Sequence, residues 1–272
     1  MPASNPIWCG PGARRVLAGG GVGTVVAAFG GGGYLRLPGG YVLLAPAGSP
    51  RGPLSLLVRG LRAPRARAPV TVWGEAATLT IGGAVISLAE VEQPRPPAPP
   101  TRIEAAARPA MRAALAAVAP APAELRPGLL ALARGSWSDG VRALAGLGDG
   151  LTPAGDDALA GWAAWRWAAG APVAVGELAA ERCSPIGLAY LECAVRGELP
   201  RFASALLAAV AAGDAACAAA QAGRAGTWGG SSGAALVWGL AAGVAVPAVD
   251  AAGHTSEPPV RFDAQERAVE AA

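Results

Sequence analysis

A proline-rich segment about a third of the way along the chain constrains the fold more than any other feature. Residues 93–101 read QPRPPAPPT, with five prolines among nine residues. Proline lacks a backbone N–H and favours extended chain, so neither a helix nor a central strand continues through such a segment. We therefore predict an N-terminal domain over residues 1–92, a linker over 93–101, a second domain over 102–250 and a flexible tail over 251–272.

The residues before the linker carry short runs rich in Val, Leu, Ile, Tyr and Thr, and Gly and Pro separate these runs. Runs of this length and spacing are typical of strands. The segments Pro38-Gly39-Gly40 and Gly82-Gly83 each stand between two runs and predict hairpin turns. Seven short strands predict a small antiparallel β barrel or sandwich. The runs are Gly23–Phe29, Tyr34–Leu37, Tyr41–Leu44, Leu54–Val58, Val70–Trp73, Thr78–Ile81 and Val85–Leu88.

After the linker the sequence changes to alanine-rich stretches separated by short Gly/Pro breaks. Alanine favours helix and lets helix axes approach closely, and short breaks favour antiparallel packing of consecutive helices. We therefore expect a tightly packed α-helical domain, which makes the whole chain α+β. The predicted helices are Ile103–Val118, Ala123–Ala133, Asp157–Ala169, Pro185–Gly197, Arg201–Ala212, Asp214–Ala222 and Ser232–Val244.

Charge and hydropathy argue against two classes of partner. The 22 basic and 19 acidic residues leave a net charge of +3 without an arginine-rich block, which disfavours nucleic acid. Mean hydropathy is +0.38, but the longest uncharged apolar run, Ala234–Val249, falls short of the roughly 20 residues that span a bilayer. The N-terminal residues lack the pattern of a signal peptide. The sequence predicts a cytoplasmic protein that binds neither nucleic acid nor membrane.

The residue types limit the chemistry of any active site. The chain contains no lysine, and its single histidine, His254, lies in the predicted tail. Multi-histidine metal sites are therefore excluded. Cys9, Cys183, Cys193 and Cys217 form no C-x-x-C pair and are interpreted as small buried hydrophobes. Catalysis must then depend on carboxylates, hydroxyls, arginines and backbone amides.

One glycine-rich segment, residues 146–157, carries most of the functional information. It reads GLGDGLTPAGDD and leads into a predicted helix. Glycines such as Gly148, Gly150 and Gly155 let the backbone come close to a ligand, and N–H groups at a helix start bind anions. Thr152 adds a hydroxyl donor. The segment lacks the Gly-Lys-Ser/Thr ending of a Walker A loop and the spacing of a dinucleotide-binding turn.

Asp156 and Asp157 end this segment and admit three interpretations. They can cap the following helix and complement its dipole. They can hold a divalent cation such as Mg²⁺, which would remove the repulsion between two carboxylates and a phosphate. They can also accept hydrogen bonds from a cationic or amide ligand, in which case the loop does not bind phosphate.

A second glycine-rich segment, residues 226–233, reads GTWGGSSG and leads into another apolar helix. One interpretation is a helix N-cap preceded by a flexible segment. The other is a second ligand loop that faces the first across one cleft. In that case Thr227, Ser231, Ser232 and Gly233 are candidate ligand-binding residues.

Glu192 and Arg196 stand four residues apart on a predicted helix. This spacing favours an ion pair on the helix surface. The alternative is that Arg196 binds a carboxylate of the ligand.

These segments together resemble a bacterial family of largely uncharacterised proteins. The string GLGDGLTPAGDDALAG is similar to the family's hallmark, and GGSSGAALVWGLAAG is similar to its last motif. The intervening SPIGLAYLECAVRGELPRFASALLAA also resembles the family pattern, so the resemblance covers most of residues 14–245. The family includes the third subunit of oxamate carbamoyltransferase, an enzyme of anaerobic allantoin degradation.

The resemblance implies an enzyme subunit that transfers a carbamoyl group between oxamate or oxalurate and phosphate. It implies a site for carbamoyl phosphate, oxamate or a related small anion, and other enzyme subunits as partners. Thr152, Asp156 and Asp157 become candidate catalytic residues, with Mg²⁺ as a candidate ligand of the two aspartates. The other positions that match the family motifs are Gly148, Gly150, Gly155, Ser231, Ser232 and Gly233.

Three positions depart from the family pattern. Gly230 replaces a frequent histidine, Ala235 replaces a frequent aspartate, and Asp149 replaces the usual proline. The loss of the histidine and the aspartate favours an alternative in which the chain is a non-catalytic ligand-binding or assembly subunit. A third alternative is a Mg²⁺-dependent phosphotransferase, against which the absence of lysine counts.

Overall fold

A computed structural model describes residues 5–73, 78–89, 91–92, 94–95, 97–174 and 179–245. The chain divides into two compact units, Met1–Pro97 and Ala98–Ala272. The division falls inside the proline-rich segment. His254 and the predicted flexible tail lie outside the described residues.

The described part of the first unit forms a single sheet. Its elements are β1 (Asn5–Cys9), α1 (Pro11–Ala18), β2 (Gly21–Phe29), β3 (Gly32–Leu37), β4 (Gly40–Pro46), β5 (Ser55–Arg59), β6 (Pro69–Trp73), β7 (Thr78–Ile81) and β8 (Ala84–Ser87). The strands follow the order β1-β5-β4-β3-β2-β6-β7-β8. Strand β1 also contacts β8, and the Cys9 N–H donates to the Glu92 carbonyl at 3.2 Å, so the sheet curls into a nearly closed barrel.

Local sequence explains the antiparallel turns of this barrel. Gly82 and Gly83 have φ values of +54° and +89°, and they join β7 to β8 through the pair Ile81 and Ala84. A two-residue hairpin with positive φ at both positions matches the right-handed twist of the strands. The predicted Gly82-Gly83 hairpin is therefore confirmed.

Two features of the barrel differ from the predicted all-antiparallel set of seven strands. Strands β4 and β5 pair in parallel, with Leu43 opposite Ser55. Strand β1 and helix α1 lie before the first predicted strand. Helix α1 buries Val16 and Leu17 and packs against β4 and β5. Its eight residues are too few to show a helical period clearly, which explains why the pattern of the sequence missed it.

The described part of the second unit is helical, which confirms the α+β class. The seven predicted helices are present with shifted ends, and among the elements bounded within the described residues the helix Trp137–Leu144 was not predicted. The elements are α2 (Ala107–Ala116), α3 (Arg126–Ala133), α4 (Trp137–Leu144), α5 (Ala154–Ala168), α6 (Pro185–Ala194), α7 (Arg201–Ala211), α8 (Ala215–Ala222), a 3₁₀ turn (Ala225–Thr227) and α9 (Ser232–Ala245). Within the described residues, no helix combines the length and apolar composition that crossing a membrane requires.

Helices α5 and α9 form the centre of this unit. Both are buried along nearly their whole length. Glycines let them approach closely, since a Cβ atom on Gly161 would collide with the Leu236 carbonyl and one on Gly239 with the Ala158 carbonyl. Further along, Gly243 meets the side chain of Trp165. The contacts advance in the same direction on both helices, so α5 and α9 run parallel and begin at the same end of the unit.

Candidate functional site

The two glycine-rich segments meet at the common end of α5 and α9. The hydroxyl oxygens of Thr152 and Ser232 lie 3.1 Å apart, within hydrogen-bond distance. Thr152 precedes α5 by two residues, and Ser232 is the first residue of α9. The structure therefore brings together one hydroxyl from each predicted loop.

The first loop folds back against the start of α5. Gly146, Gly148 and Gly150 have φ values of +76°, +111° and +95°, which L side chains rarely adopt. The Gly155 N–H donates to the Leu147 carbonyl at 2.9 Å, and a Cβ atom on Gly155 would collide with the Leu144 carbonyl. Glycine at these positions thus shapes the backbone of the loop itself.

Asp156 ties this loop to a neighbouring helix. Its side chain is fully buried. One carboxylate oxygen accepts the Gly146 N–H at 2.7 Å, and the other accepts the Ser184 N–H at 2.8 Å. Pro153 is the N-cap residue of α5, so neither aspartate caps the helix. Asp156 connects the start of the loop to the start of α6.

Asp157 has a different environment, although it is the next residue. It is 4% exposed, and its Oδ2 atom has no hydrogen-bond partner among the described residues. Burial raises the pKa of Asp157 to about 7, and the negative charge of Asp156 acts in the same direction. Hydrogen bonding with the hydroxyls of Ser232 and, more weakly, Thr152 lowers this pKa. The carboxyl group of Asp157 therefore lies beside both hydroxyls.

Ser184 links the start of α6 to the first glycine-rich loop, and the sequence did not predict it as a site residue. Its hydroxyl accepts the Gly187 N–H as the N-cap of α6 and donates to the Leu151 carbonyl, each at 2.9 Å. The signal in the sequence was a serine directly before a proline, which is typical of a helix start. The neighbouring Cys183 has a pKa raised to about 12, mainly by burial and then by the charge of Asp156, so its thiol stays protonated.

The predicted residues of the second loop differ in whether they contact the first loop. The Thr227 hydroxyl donates to the Arg224 carbonyl at 2.7 Å within its own exposed turn. Ser231 is exposed, whereas Ser232 is 8% exposed and contacts the first loop. Gly233 is buried so close to the Ala225 carbonyl that a Cβ atom would collide with it.

Arg196 lies at the far end of α6 from this site. The helix ends at Ala194, two residues before Arg196, whereas Ser184 caps its beginning. At 1.5 Å per residue, α6 separates the two ends by roughly 15 Å. Among the described residues the structure shows no Glu192–Arg196 ion pair, and Arg196 lies beyond the end of the helix.

Backbone donors converge on the same end of the unit. Among the described residues, the N–H groups of Ala154, Ser231, Ser232 and Ala234 have no carbonyl acceptor. Parallel helices direct their partial positive charges to the same side, so both N-termini favour an anion or a developing oxyanion. The arrangement combines free amide donors, two hydroxyls and one buried carboxyl group.

Metal-binding groups are sparse in the described part of the chain. No cluster there contains three or more His, Cys, Asp or Glu side chains in a metal-binding arrangement. Both oxygens of Asp156 already accept backbone N–H groups. A Mg²⁺ ion shared by Asp156 and Asp157 stays a prediction.

Comparison with known proteins places this region in a functional context. Residues 144–244 match a family model described as oxamate carbamoyltransferase subunit AllH. The matched residues contain both glycine-rich loops and the helices from α5 to α9, and over these residues the match confirms the predicted resemblance to the family. No curated protein and no solved structure gives a significant match.

Proposed function

We propose, from the family match over residues 144–244, that the chain is a subunit of an oxamate carbamoyltransferase-type enzyme. Its second unit would bind a small carbamoyl-bearing ligand or anion at the common end of α5 and α9. The observation that carries this proposal is the contact between the hydroxyls of Thr152 and Ser232. It joins two loops that are 80 residues apart in the chain, and both loops lie inside the matched region.

The available groups suit carbamoyl transfer. Attack on a carbamoyl carbon places negative charge on the carbonyl oxygen in the transition state. Amide donors that already point at the site stabilise such an oxygen without reorganisation. The free N–H groups of Ala154, Ser231 and Ala234 would supply this stabilisation, and the hydroxyl of Thr152 would add a side-chain donor.

The two aspartates receive separate roles in this proposal. Asp156 would position the first loop and the start of α6 through the Gly146 and Ser184 amides. Asp157 would act in the site, because its carboxyl group lies beside Thr152 and Ser232. We expect the substrate to be carbamoyl phosphate, oxamate or a related small anion, and we expect other subunits to complete the enzyme.

A non-catalytic ligand-binding or assembly subunit is the second candidate function. Gly230, two residues before Ser232, stands where the family often has histidine, so one frequent polar side chain is missing from this loop. Turnover by the purified chain combined with its partner subunits supports the enzymatic role. Binding of the ligands without turnover in that complex supports the second candidate.

Calorimetric titration with oxamate and with inorganic phosphate tests the location of the site. We expect Thr152→Val to weaken binding by about fivefold, since a hydrogen bond to a ligand contributes about 1 kcal/mol. Thr227→Val is the matched control, because that hydroxyl is used within its own turn, and we expect little change. Equal effects of the two variants would contradict this location, and no binding by the native chain, alone or with partner subunits, would contradict the function.

A further inference from the structure

Solvent exposure increases stepwise from the buried carboxyl group of Asp157 to Ser231 on the surface of the second loop. Asp157 is 4% exposed and Ser232 is 8% exposed, whereas Thr152 is half-buried and Ser231 is exposed. A ligand at the common end of α5 and α9 therefore reaches the hydroxyls before it reaches the carboxyl group. Asp157 lies behind the hydroxyls and would act through them.

The contacts among these three side chains fit an activated nucleophile. A hydroxyl nucleophile needs a base within hydrogen-bond reach, and a third group that orients the pair. The Thr152 and Ser232 hydroxyl oxygens lie 3.1 Å apart. The Asp157 carboxyl group is buried beside them, and the Ser232 hydroxyl lowers its pKa through hydrogen bonding. Asp157 Oδ2 has no partner among the described residues, so the carboxyl group retains capacity to accept a proton.

We infer that Ser232 is a nucleophile that accepts the carbamoyl group as a covalent ester, with Asp157 accepting the serine proton. This inference rests on the proposed carbamoyl-transfer function. It assigns the chemistry to this chain, because the nucleophile, the base and the orienting hydroxyl all belong to it.

The step balances with a carbamoyl phosphate donor. The Ser232 oxygen bonds to the carbamoyl carbon, and its proton moves to the Asp157 carboxylate. The bond between the carbamoyl carbon and the phosphate-bridging oxygen breaks, and phosphate leaves with the proton from Asp157. An acceptor nitrogen then attacks the ester carbon, and the Ser232 oxygen leaves and recovers a proton.

The surroundings of Ser232 favour this step over reaction at Ser231. Ser232 begins α9, where the free N–H groups of Ser231 and Ala234 stabilise a developing oxyanion. Burial holds the pKa of Asp157 at about 7, near the pH at which a base is most effective. Ser231 is exposed and lacks a neighbouring carboxyl group in the described contacts.

The test is mass spectrometry of the full chain after incubation with carbamoyl phosphate in the absence of an acceptor. The chain has no lysine, so background reaction with amines is confined to the N-terminus. Fragmentation of the tryptic peptide that follows Arg224 distinguishes Ser231 from Ser232. We expect one carbamoyl group on Ser232, absent in Ser232→Ala and present in the control Ser204→Ala, which removes an exposed serine hydroxyl on α7.

A second measurement separates the role of Asp157 from a purely structural one. We expect Asp157→Asn to slow carbamoylation by about a hundredfold or more, as removal of a general base does. We also expect the variant to lose the rise in rate that the native chain shows as pH increases through about 7. A structural effect alone would lower the rate equally at every pH.

Two outcomes would overturn the inference. If the native chain binds phosphate or oxamate but never carries a carbamoyl group on Ser232, alone or with partner subunits, the covalent step is wrong and the proposed function stands. If Ser232→Ala transfers carbamoyl groups at the native rate within the complex, the same conclusion follows. Failure of the native chain to bind either ligand would overturn the proposed function and the covalent step together.

Discussion

Asp156 and Asp157 show how far two identical neighbours can differ. Successive residues of a helix point about 100° apart, so one aspartate turns toward backbone amides and the other toward hydroxyls. Their type and spacing made both of them candidates from the sequence. The partners of each aspartate belong to segments that are distant in the sequence, such as Ser184 and Ser232. The local sequence around the aspartates therefore could not predict which aspartate contacts which partner.

Asp156→Asn should destabilise the second unit. The substitution places an amide NH₂ against one of two backbone N–H donors, Gly146 or Ser184, and leaves that donor buried without a partner. We expect the free energy of unfolding to fall by about 1–3 kcal/mol, measured by urea denaturation at pH 7. Asp157→Asn is the matched control and should cost less, because Asp157 Oδ2 has no partner to lose.

The raised pKa of Asp157 predicts a pH dependence of stability. The folded chain holds this proton up to about pH 7, whereas the unfolded chain releases it near 3.8. The stabilisation is therefore complete below about pH 4 and is lost as pH rises toward 7. We expect the free energy of unfolding to fall over that interval, and Asp157→Asn to flatten the fall. Identical profiles for the two proteins would contradict the burial of an ionisable Asp157.

At the level of helices and strands, the contact between α5 and α9 depends on glycines, which carry no side chain. Composition alone suggested only that glycine and alanine allow close packing. The structure identifies Gly161 and Gly239 as the positions where the helix backbones meet. Their partners, Leu236 and Ala158, lie about 80 residues away in the chain, so the sequence could predict the helices but not this crossing.

Gly239→Ala tests the crossing. Alanine is favoured over glycine within a helix by about 1 kcal/mol, which would stabilise an unobstructed site. Here the new Cβ atom collides with the Ala158 carbonyl, and we expect a net loss of about 1–3 kcal/mol by calorimetry. Gly223→Ala is the control, because its nearest neighbours lie at ordinary contact distance and its φ is −58°. A stable Gly239→Ala protein would show that α5 and α9 can separate without cost.

The caps of α6 and α8 offer a second comparison between helices. Ser184 and Asp214 each accept an N–H from the first turn of their helix, but only Ser184 also bonds to the first loop, at the Leu151 carbonyl. We expect Ser184→Ala and Asp214→Ala each to cost about 1 kcal/mol of stability. Only Ser184→Ala should also weaken oxamate binding in calorimetric titration. Equal binding by both variants would argue that Ser184 serves α6 alone.

For the whole molecule, the prediction of an α+β chain succeeded because its two halves differ in composition. Short β-branched runs and alanine-rich stretches each favour one type of secondary structure regardless of long-range contacts. The pairing of β4 with β5 in parallel and the nearly closed barrel depend on the path of the connecting chain. Helix α4 was missed for a related reason, since its residues WSDGVRAL include Ser, Asp and Gly, which local preference assigns to turns.

The parallel crossing of α5 and α9 affects how this site could change by substitution during evolution. Where glycines put two backbones in direct contact, the distance between the first residues of the helices is a property of the scaffold and is independent of the side chains they carry. A ligand bound at the proposed site would then meet preorganised donors and would lose little binding energy in ordering them. Substitutions at positions 152, 157 and 232 can alter the chemistry while the framework stays constant, so one architecture can serve enzymes with different substrates.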